Sequence, residues 1–188
     1  MPKRIHKGGE IIQIQLIELW ILVAVALISD IKANKITNCI TLPFVLMGIA
    51  TNFFRTGWSG AVDSVFGVLT PAVLLFVLYG LRMLGAGDIK LFCAIGAIMG
   101  LSFALYAMAY SFLAGGVIAV IIIIIKKNGL KRLKYVFNYL KTCILTVSIH
   151  PYSDFMDQND SGKFPFAIAI AFGTFISFIT SIVTNRVN

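Results

Sequence analysis

Long apolar runs separated by short polar segments make up most of this chain. A helix needs about 20 apolar residues to cross the roughly 30 Å hydrocarbon core of a bilayer. The pattern predicts about six transmembrane helices, over residues 11–29, 36–54, 61–81, 89–101, 103–125 and 164–184. We therefore expect an all-α, polytopic membrane protein in which residues 1–188 form a single membrane-embedded domain.

The fourth and fifth predicted helices come from one apolar run, Ile89 to Ile125, whose only charge is Lys90. As a single helix this run would be about 55 Å long at 1.5 Å per residue, which is too long for one crossing. A turn near Gly100-Leu101-Ser102 divides it into two short spans.

Residues 129–147 show a different pattern, with apolar side chains three or four positions apart and lysines on another face. This period predicts an amphipathic helix on the membrane surface, and a solvated helix beside the membrane is the alternative. The polar loop after it contains Asp154, Asp157 and Asp160. Their spacing does not match a calcium-binding loop, and attraction of a basic substrate segment is a weaker hypothesis than simple solvation.

Composition supports a membrane protein, because 13% of the residues are charged and 59% are hydrophobic, against roughly 25% charged in soluble domains. The net charge is +8. The basic residues lie in short loops, where they fix topology and contact membrane lipids, so nucleic acid is not an expected partner. The three cysteines are scattered and form no CxxC pair, and we expect no metal and no cofactor.

Acidic residues are scarce, with eight in the chain, so those near the predicted spans can be considered one by one. Glu18 is inside the first predicted span and is interpreted as satisfied near the outer interface, and Asp63 as a cap of the third span. Asp30 follows the first span and Asp88 precedes the fourth, so two crossings separate them. An even number of crossings places both aspartates at one face of the membrane.

The distribution of basic residues gives an orientation. Eleven of the 16 Lys and Arg residues fall on the aspartate side and five on the other. Loops rich in Lys and Arg are typical of the cytoplasmic side, which favours a cytoplasmic location for both aspartates. The basic N-terminus argues against this orientation.

Two carboxylates at a membrane boundary have a chemical interpretation. Placing them close to hydrocarbon is costly, and two held together cannot both ionise easily, so they share a proton. The ionised member takes a proton from water, and the protonated member donates to the carbonyl oxygen of a peptide bond. The sequence does not assign the proton to Asp30 or to Asp88. The alternative is that both are ordinary charges at helix ends.

Three segments of the chain resemble one family. The stretch Gly85-Ala86-Gly87-Asp88-Ile89-Lys90 resembles the GxGD motif of the type IV prepilin peptidases, and its glycines let a substrate backbone approach closely. Residues 30–43 are similar to that family's first-aspartate segment, with Thr37 where proline is usual. Residues 164–173 are similar to its last span, which begins with a proline-aromatic pair, with Ala167-Ile168 in place of the usual Gly-Pro.

The resemblance implies an aspartic endopeptidase of the short form found in Tad/Flp pilus systems. Such an enzyme removes the short basic leader of pilin-like precursors at the cytoplasmic face of the cell membrane. Asp30 and Asp88 would be the catalytic pair. The residues expected to support the site are Gly85, Gly87, Lys90, Asn38 and Pro165. The insert with two CxxC pairs is absent, so neither zinc nor methyltransferase activity is expected. Pilus-assembly machinery is a candidate partner, and the oligomeric state is undetermined.

Other functions use similar residues. Preflagellin peptidases and other GxGD intramembrane proteases share this chemistry and are the nearest alternatives. From other classes, an ion-coupled membrane transporter component or a non-catalytic scaffold of a secretion system remains open. The placement of both aspartates at one face argues against a transporter, whose sites usually lie near the bilayer midplane.

Overall fold

The computed structural model describes residues 3–81, 83–125 and 165–187, and these residues form six α-helices and no strand. In chain order, α1 is Lys3–Ala33, α2 Asn38–Thr56, α3 Trp58–Gly80, α4 Ala86–Met99, α5 Leu101–Ile125 and α6 Ala167–Val187. The all-α prediction is confirmed. The amphipathic helix predicted over residues 129–147 and the acidic loop after it lie outside the described residues.

Four helices, α1, α2, α3 and α5, are long and apolar enough to cross a membrane. Large apolar side chains such as Leu46, Phe76 and Leu113 are exposed on their surfaces, as expected of a membrane protein. The predicted count of six spans is too high for the described residues. α4 has 14 residues, about 21 Å at 1.5 Å per residue, and the apolar part of α6 is limited to Ala167–Val183.

α4 is the centre of the helix bundle. All residues from Leu91 to Ile98 are buried, and the helix contacts α1, α2, α3 and α5. A helix that is apolar on every side must be covered on every side. Here the covering is largely protein, so bilayer thickness does not set the length of α4.

Small residues allow the helices around α4 to approach closely. Gly67 of α3 and Gly96 of α4 meet backbone to backbone, and a Cβ on either would overlap the carbonyl oxygen of the other. Gly48 of α2 lies in the same way against the backbone of Ala97. Such contacts are typical of membrane helices, which associate through van der Waals packing because lipid tails are as apolar as the helices.

α6 packs mainly on α5 and has a smaller contact with α1. Gly173 of α6 lies directly against Ser111 of α5. On the other side of α6, the rings of Phe175 and Phe178 contact the ring of Trp20 in α1, with centroid distances of 6.0 and 5.7 Å. These contacts fix α6 beside the half of α1 that leads to Asp30.

The turn between α4 and α5 lies at Gly100, where the sequence predicts it. Gly100 has a φ of 84°, which favours glycine. Asp63 accepts a hydrogen bond from the N–H of Leu101 at 3.3 Å, so its carboxylate caps α5. The expectation that Asp63 caps the third span was wrong, because α3 already begins at Trp58.

Polar side chains of α1 and α2 meet the C-terminal end of α4. Asn52 donates to the carbonyl oxygens of Ala97 and Ile98 at 3.0 and 2.9 Å. Gln15 donates to Ile98 and to the side-chain oxygen of Asn52 at 3.0 and 2.8 Å. These bonds satisfy carbonyls that have no partner inside the helix. We use the name Asn52 cluster for Gln15, Glu18, Thr51, Asn52 and Arg55.

Candidate active site

Asp30 lies in the last turn of α1, not after it, because the helix continues to Ala33. Asn34 ends the helix with a φ of 48°, a left-handed conformation that asparagine tolerates better than most residues. Its N–H donates to the carbonyl oxygen of Asp30 at 2.8 Å. The hydroxyl of Ser29 donates to the carbonyl of Lys35 at 2.8 Å, which folds the loop back beside Asp30.

Asp88 lies in the first turn of α4. Its Oδ2 accepts a hydrogen bond from the N–H of Gly85, the N-cap residue, at 3.2 Å. Free N–H groups and the helix dipole stabilise a carboxylate at this position. A Cβ on Gly85 would lie 3.0 Å from Oδ2 of Asp88, so glycine leaves space beside the carboxylate.

Gly87 brings the two motif segments into contact. A Cβ on Gly87 would lie 3.1 Å from the Cβ of Ile36 and 3.2 Å from its backbone nitrogen. These separations are shorter than side chains normally adopt, and a backbone atom cannot move aside as a flexible side chain can. The close approach holds the Asp30 loop against the start of α4.

One pocket of about 280 Å³ contains both aspartates. Its lining consists of Asp30, Asn34, Lys35, Ile36, Gly85, Ala86, Gly87, Asp88 and Lys90. Asp30 is 8% exposed, whereas Asp88 is half-buried. The structure therefore brings together two carboxylates from distant parts of the sequence beside a space large enough for a ligand.

The start of α6 also contacts this site. The backbone N–H of Ala167, the first residue of α6, donates to Oδ2 of Asp30 at 3.2 Å. Pro165 lies just before the helix, and its carbonyl accepts the N–H of Ile168 at 3.1 Å. A backbone donor at a helix N-terminus is thus directed at the more buried of the two carboxylates.

The electrostatics of the pocket favour a shared proton. Burial raises the pKa of Asp88 from 3.8 to about 6; the negative charge of Asp30 adds to the rise, and the N–H of Gly85 opposes it. A pair that carries one proton can supply both a general acid and a general base to a bound molecule.

Residues 17–120 match the family model of the type IV leader peptidase family. The match extends from α1 to α5, includes both aspartates and covers more than half of the chain. The chain belongs to the type IV leader peptidase family. A search of curated proteins and a search of solved structures each gave no match. Membership confirms the resemblance to this family and indicates peptidase activity; the segments 30–43 and 85–90 lie within the matched residues, and the segment 164–173 lies outside them.

The residues expected to support the site fall into two groups. Gly85, Gly87 and Lys90 line the pocket. Asn38 is exposed at the first residue of α2, and Pro165 precedes α6; neither lines the pocket. The structure places these two residues next to helix starts that flank the site.

Three further residues that line the pocket or contact Asp30 were not predicted. Asn34 and Lys35 line the pocket, and the N–H of Ala167 contacts Asp30. Their closeness to Asp30 in the sequence could have predicted Asn34 and Lys35 as pocket residues, because few residues separate them from a candidate catalytic group. Ala167 gave no signal, since its contribution is a backbone N–H that every residue except proline has.

Proposed function

We propose that this protein is an aspartic endopeptidase that removes the short basic leader from pilin-like precursors. The observation that carries the proposal is the pocket in which Asp30 and Asp88 lie together. Family membership supports peptidase chemistry. We further propose that residues 1–188 act as one membrane-embedded peptidase domain in the cell membrane, with the pocket facing the cytoplasm.

The proposed reaction is hydrolysis by activated water. One aspartate is ionised and takes a proton from water while the water oxygen attacks the carbonyl carbon. The other aspartate gives its proton to the carbonyl oxygen. The carbon–nitrogen bond then breaks, the amine nitrogen receives a proton from the first aspartate, and a hydroxyl of the tetrahedral intermediate returns a proton to the second. The raised pKa of Asp88 supports a pair that begins the cycle with one proton.

The position of the pocket suits a precursor with an apolar helix. The pocket lies at the end of α1 and the start of α4, where apolar helices meet polar loops. A substrate helix in the bilayer would present its leader junction at this boundary. The backbone of Gly85-Ala86-Gly87 offers a surface without large side chains, against which an extended peptide can lie.

Supporting residues act in two ways in this proposal. Gly85 leaves space beside the carboxylate of Asp88, Gly87 lets the loop after Asp30 approach the start of α4, and Lys90 contributes positive charge to the pocket lining. Asn38 and Pro165 act through the starts of α2 and α6, since neither lines the pocket. Membrane lipids surround the helices, and pilus-assembly machinery is the proposed physiological setting.

The test is cleavage of precursors by the full chain in membranes. Co-expression with pilin-like precursors should remove the leader, detected by mass spectrometry, and Asp30→Asn and Asp88→Asn should each abolish the loss. A matched Asp63→Asn variant changes an aspartate outside the pocket and should still cleave. Cleavage that survives both Asp30→Asn and Asp88→Asn would refute the proposal. Ion flux without cleavage would instead indicate a transporter.

A further inference from the structure

We infer that Asn34 is a substrate-binding residue of the proposed active site, and that its carboxamide forms hydrogen bonds with the backbone of the precursor beside the bond that is cleaved. The inference rests on the proposed function, and it adds a residue to the aspartates and glycines of the motifs. It also states what is recognised at this place. The main chain of the peptide is bound, which is common to all precursors, and not a particular side chain.

The backbone holds Asn34 at a fixed place close to Asp30. α1 ends at Ala33, and the N–H of Asn34 donates to the carbonyl oxygen of Asp30 at 2.8 Å. This bond has the spacing of a helical hydrogen bond, so Asn34 follows Asp30 by about one helical turn. The hydroxyl of Ser29 donates to the carbonyl of the next residue, Lys35, at 2.8 Å. A residue whose backbone is fixed in this way loses little freedom when its side chain binds a substrate.

The side chain of Asn34 is available to a ligand. Asn34 is exposed and lines the same pocket as Asp30 and Asp88. Among the residues that the structure describes, its carboxamide has no hydrogen-bond partner. Asparagine side chains in turns often bond to backbone groups nearby, and this one does not. The carboxamide can therefore bind a peptide in the pocket without breaking a bond inside the protein.

The chemistry of the pocket lining favours Asn34 as the residue that binds a peptide backbone. A carboxamide has N–H donors and a carbonyl acceptor, so it can bind both a C=O and an N–H of a peptide. Lys35 and Lys90 also line the pocket and are exposed, but an ammonium group can only donate. In the proposed reaction, Asp30 and Asp88 contact the water and the carbonyl of the cleaved bond. This leaves the carboxamide for the neighbouring main chain.

The part of the lining that belongs to α4 leaves room for the peptide. Gly85, Ala86 and Gly87 line the pocket, and none of them has a side chain larger than a methyl group. An extended peptide can lie between these residues and Asn34, with its cleaved bond at the aspartates. An extended chain presents C=O and N–H groups along its edge. One carboxamide can therefore bind groups of both kinds on the same peptide.

The first test is steady-state cleavage of a pilin-like precursor by the full chain in nanodiscs. Asn34→Gly removes the carboxamide, and glycine readily adopts the φ of 48° at this position. KM should rise about fivefold, as expected for the loss of one hydrogen bond, and kcat should stay within about twofold of wild type. Thr37→Ala is the matched control. Thr37 is exposed in the same loop, makes no side-chain cap bond and does not line the pocket, so KM should not change.

The second test changes the substrate and does not depend on the absolute rate of a variant. Two precursor peptides each have one backbone amide replaced by an ester, either directly before or directly after the cleaved bond, and so lack one N–H. In wild type, one of these esters should lower kcat/KM by about fivefold. In Asn34→Gly, the same ester should cause no further loss, because the partner of that N–H is already absent.

The outcomes separate this inference from the proposed function. An unchanged KM in Asn34→Gly, or ester effects that are equal in the two enzymes, would overturn the binding role while cleavage still required both aspartates. A fall in kcat without a rise in KM would also overturn it, because a bond to the unreacting main chain acts on substrate binding. Cleavage that needs neither Asp30 nor Asp88 would overturn the proposed function itself.

Discussion

The two ends of α4 hold polar groups in opposite ways. At the C-terminal end, the central residue of the Asn52 cluster is enclosed: Asn52 is 1% exposed, and its amide donates to the carbonyls of Ala97 and Ile98. At the N-terminal end, Asp30 and Asp88 border an open pocket, and each carboxylate has one hydrogen-bond donor among the described residues. The saturated groups at one end of α4 thus fit a structural role, and the unsaturated carboxylates at the other end fit the chemistry proposed for the pocket.

The same comparison explains why α4 can be short. Its C-terminal carbonyls end inside the protein, where unsatisfied groups are unfavourable. Gln15 and Asn52 replace the water that those carbonyls would otherwise need. This leaves the other end of α4 at the pocket, with Asp88 in its first turn.

The largest expected effect is the loss of cleavage when a carboxylate at the pocket end of α4 is replaced. Asp88→Asn should lower cleavage by at least about 10³-fold, because the variant lacks a carboxyl group that can donate and recover a proton. Its thermal stability in detergent should be equal to or above wild type, since burial disfavours the charge that is removed. Precursor cleavage and thermal unfolding measured on the same sample check both statements. A variant that loses activity only by unfolding would contradict the comparison.

The second effect is a loss of stability when Asn52, at the C-terminal end of α4, is replaced. Asn52→Leu leaves carbonyls of Ala97 and Ile98 with fewer donors, and each unsatisfied group is expected to destabilise the fold by about 1–3 kcal/mol. The melting temperature should fall, while the folded fraction retains cleavage. Ser59→Ala is the matched control, because its hydrogen bond to Thr56 is exposed. Equal melting temperatures for the two variants would show that the Asn52 cluster is not structural.

A smaller effect should come from the contact between the two motif segments. Gly87→Ala places a methyl group 3.1–3.2 Å from Ile36 and should push the Asp30 loop away from Asp88, with a roughly tenfold fall in kcat/KM. Gly80→Ala is the control, because a Cβ there has no neighbour within 4 Å. Steady-state cleavage of a precursor distinguishes them, and similar kinetics for both would argue against this role of Gly87.

The smallest effect is the pH dependence of stability. The pKa of Asp88 is raised from 3.8 to about 6 in the folded chain, so the folded state binds more protons than the unfolded state between these values. The contribution of Asp88 to stability is therefore greatest at low pH, falls as pH rises through this window and levels off above about 6. The melting temperature of wild type minus that of Asp88→Asn, measured between about pH 3.5 and about pH 7.5, should follow this fall. A flat difference would contradict the raised pKa.

The positions of helices follow closely from apolar runs. The predicted spans 36–54, 61–81 and 103–125 correspond to α2, α3 and α5, with boundaries that differ by a few residues, and the turn at Gly100 is where the pattern places it. The first predicted span, 11–29, is shorter than α1 at both ends, because the start of α1 contains charged and glycine residues and its end contains Asp30. Hydropathy reports where a helix is apolar and not where its hydrogen bonds end.

The order of the apolar runs by itself predicted that Asp30 and Asp88 lie at the same end of the helices, because two helices separate them along the chain, and both line one pocket. Only the tertiary structure decided that α4 is enclosed by protein, that Gly87 meets Ile36, and that the N–H of Ala167 reaches Asp30. The physical reason is that hydropathy and periodicity are local properties of the chain. Close packing and backbone hydrogen bonds between distant segments depend on how whole helices cross, which no local pattern records.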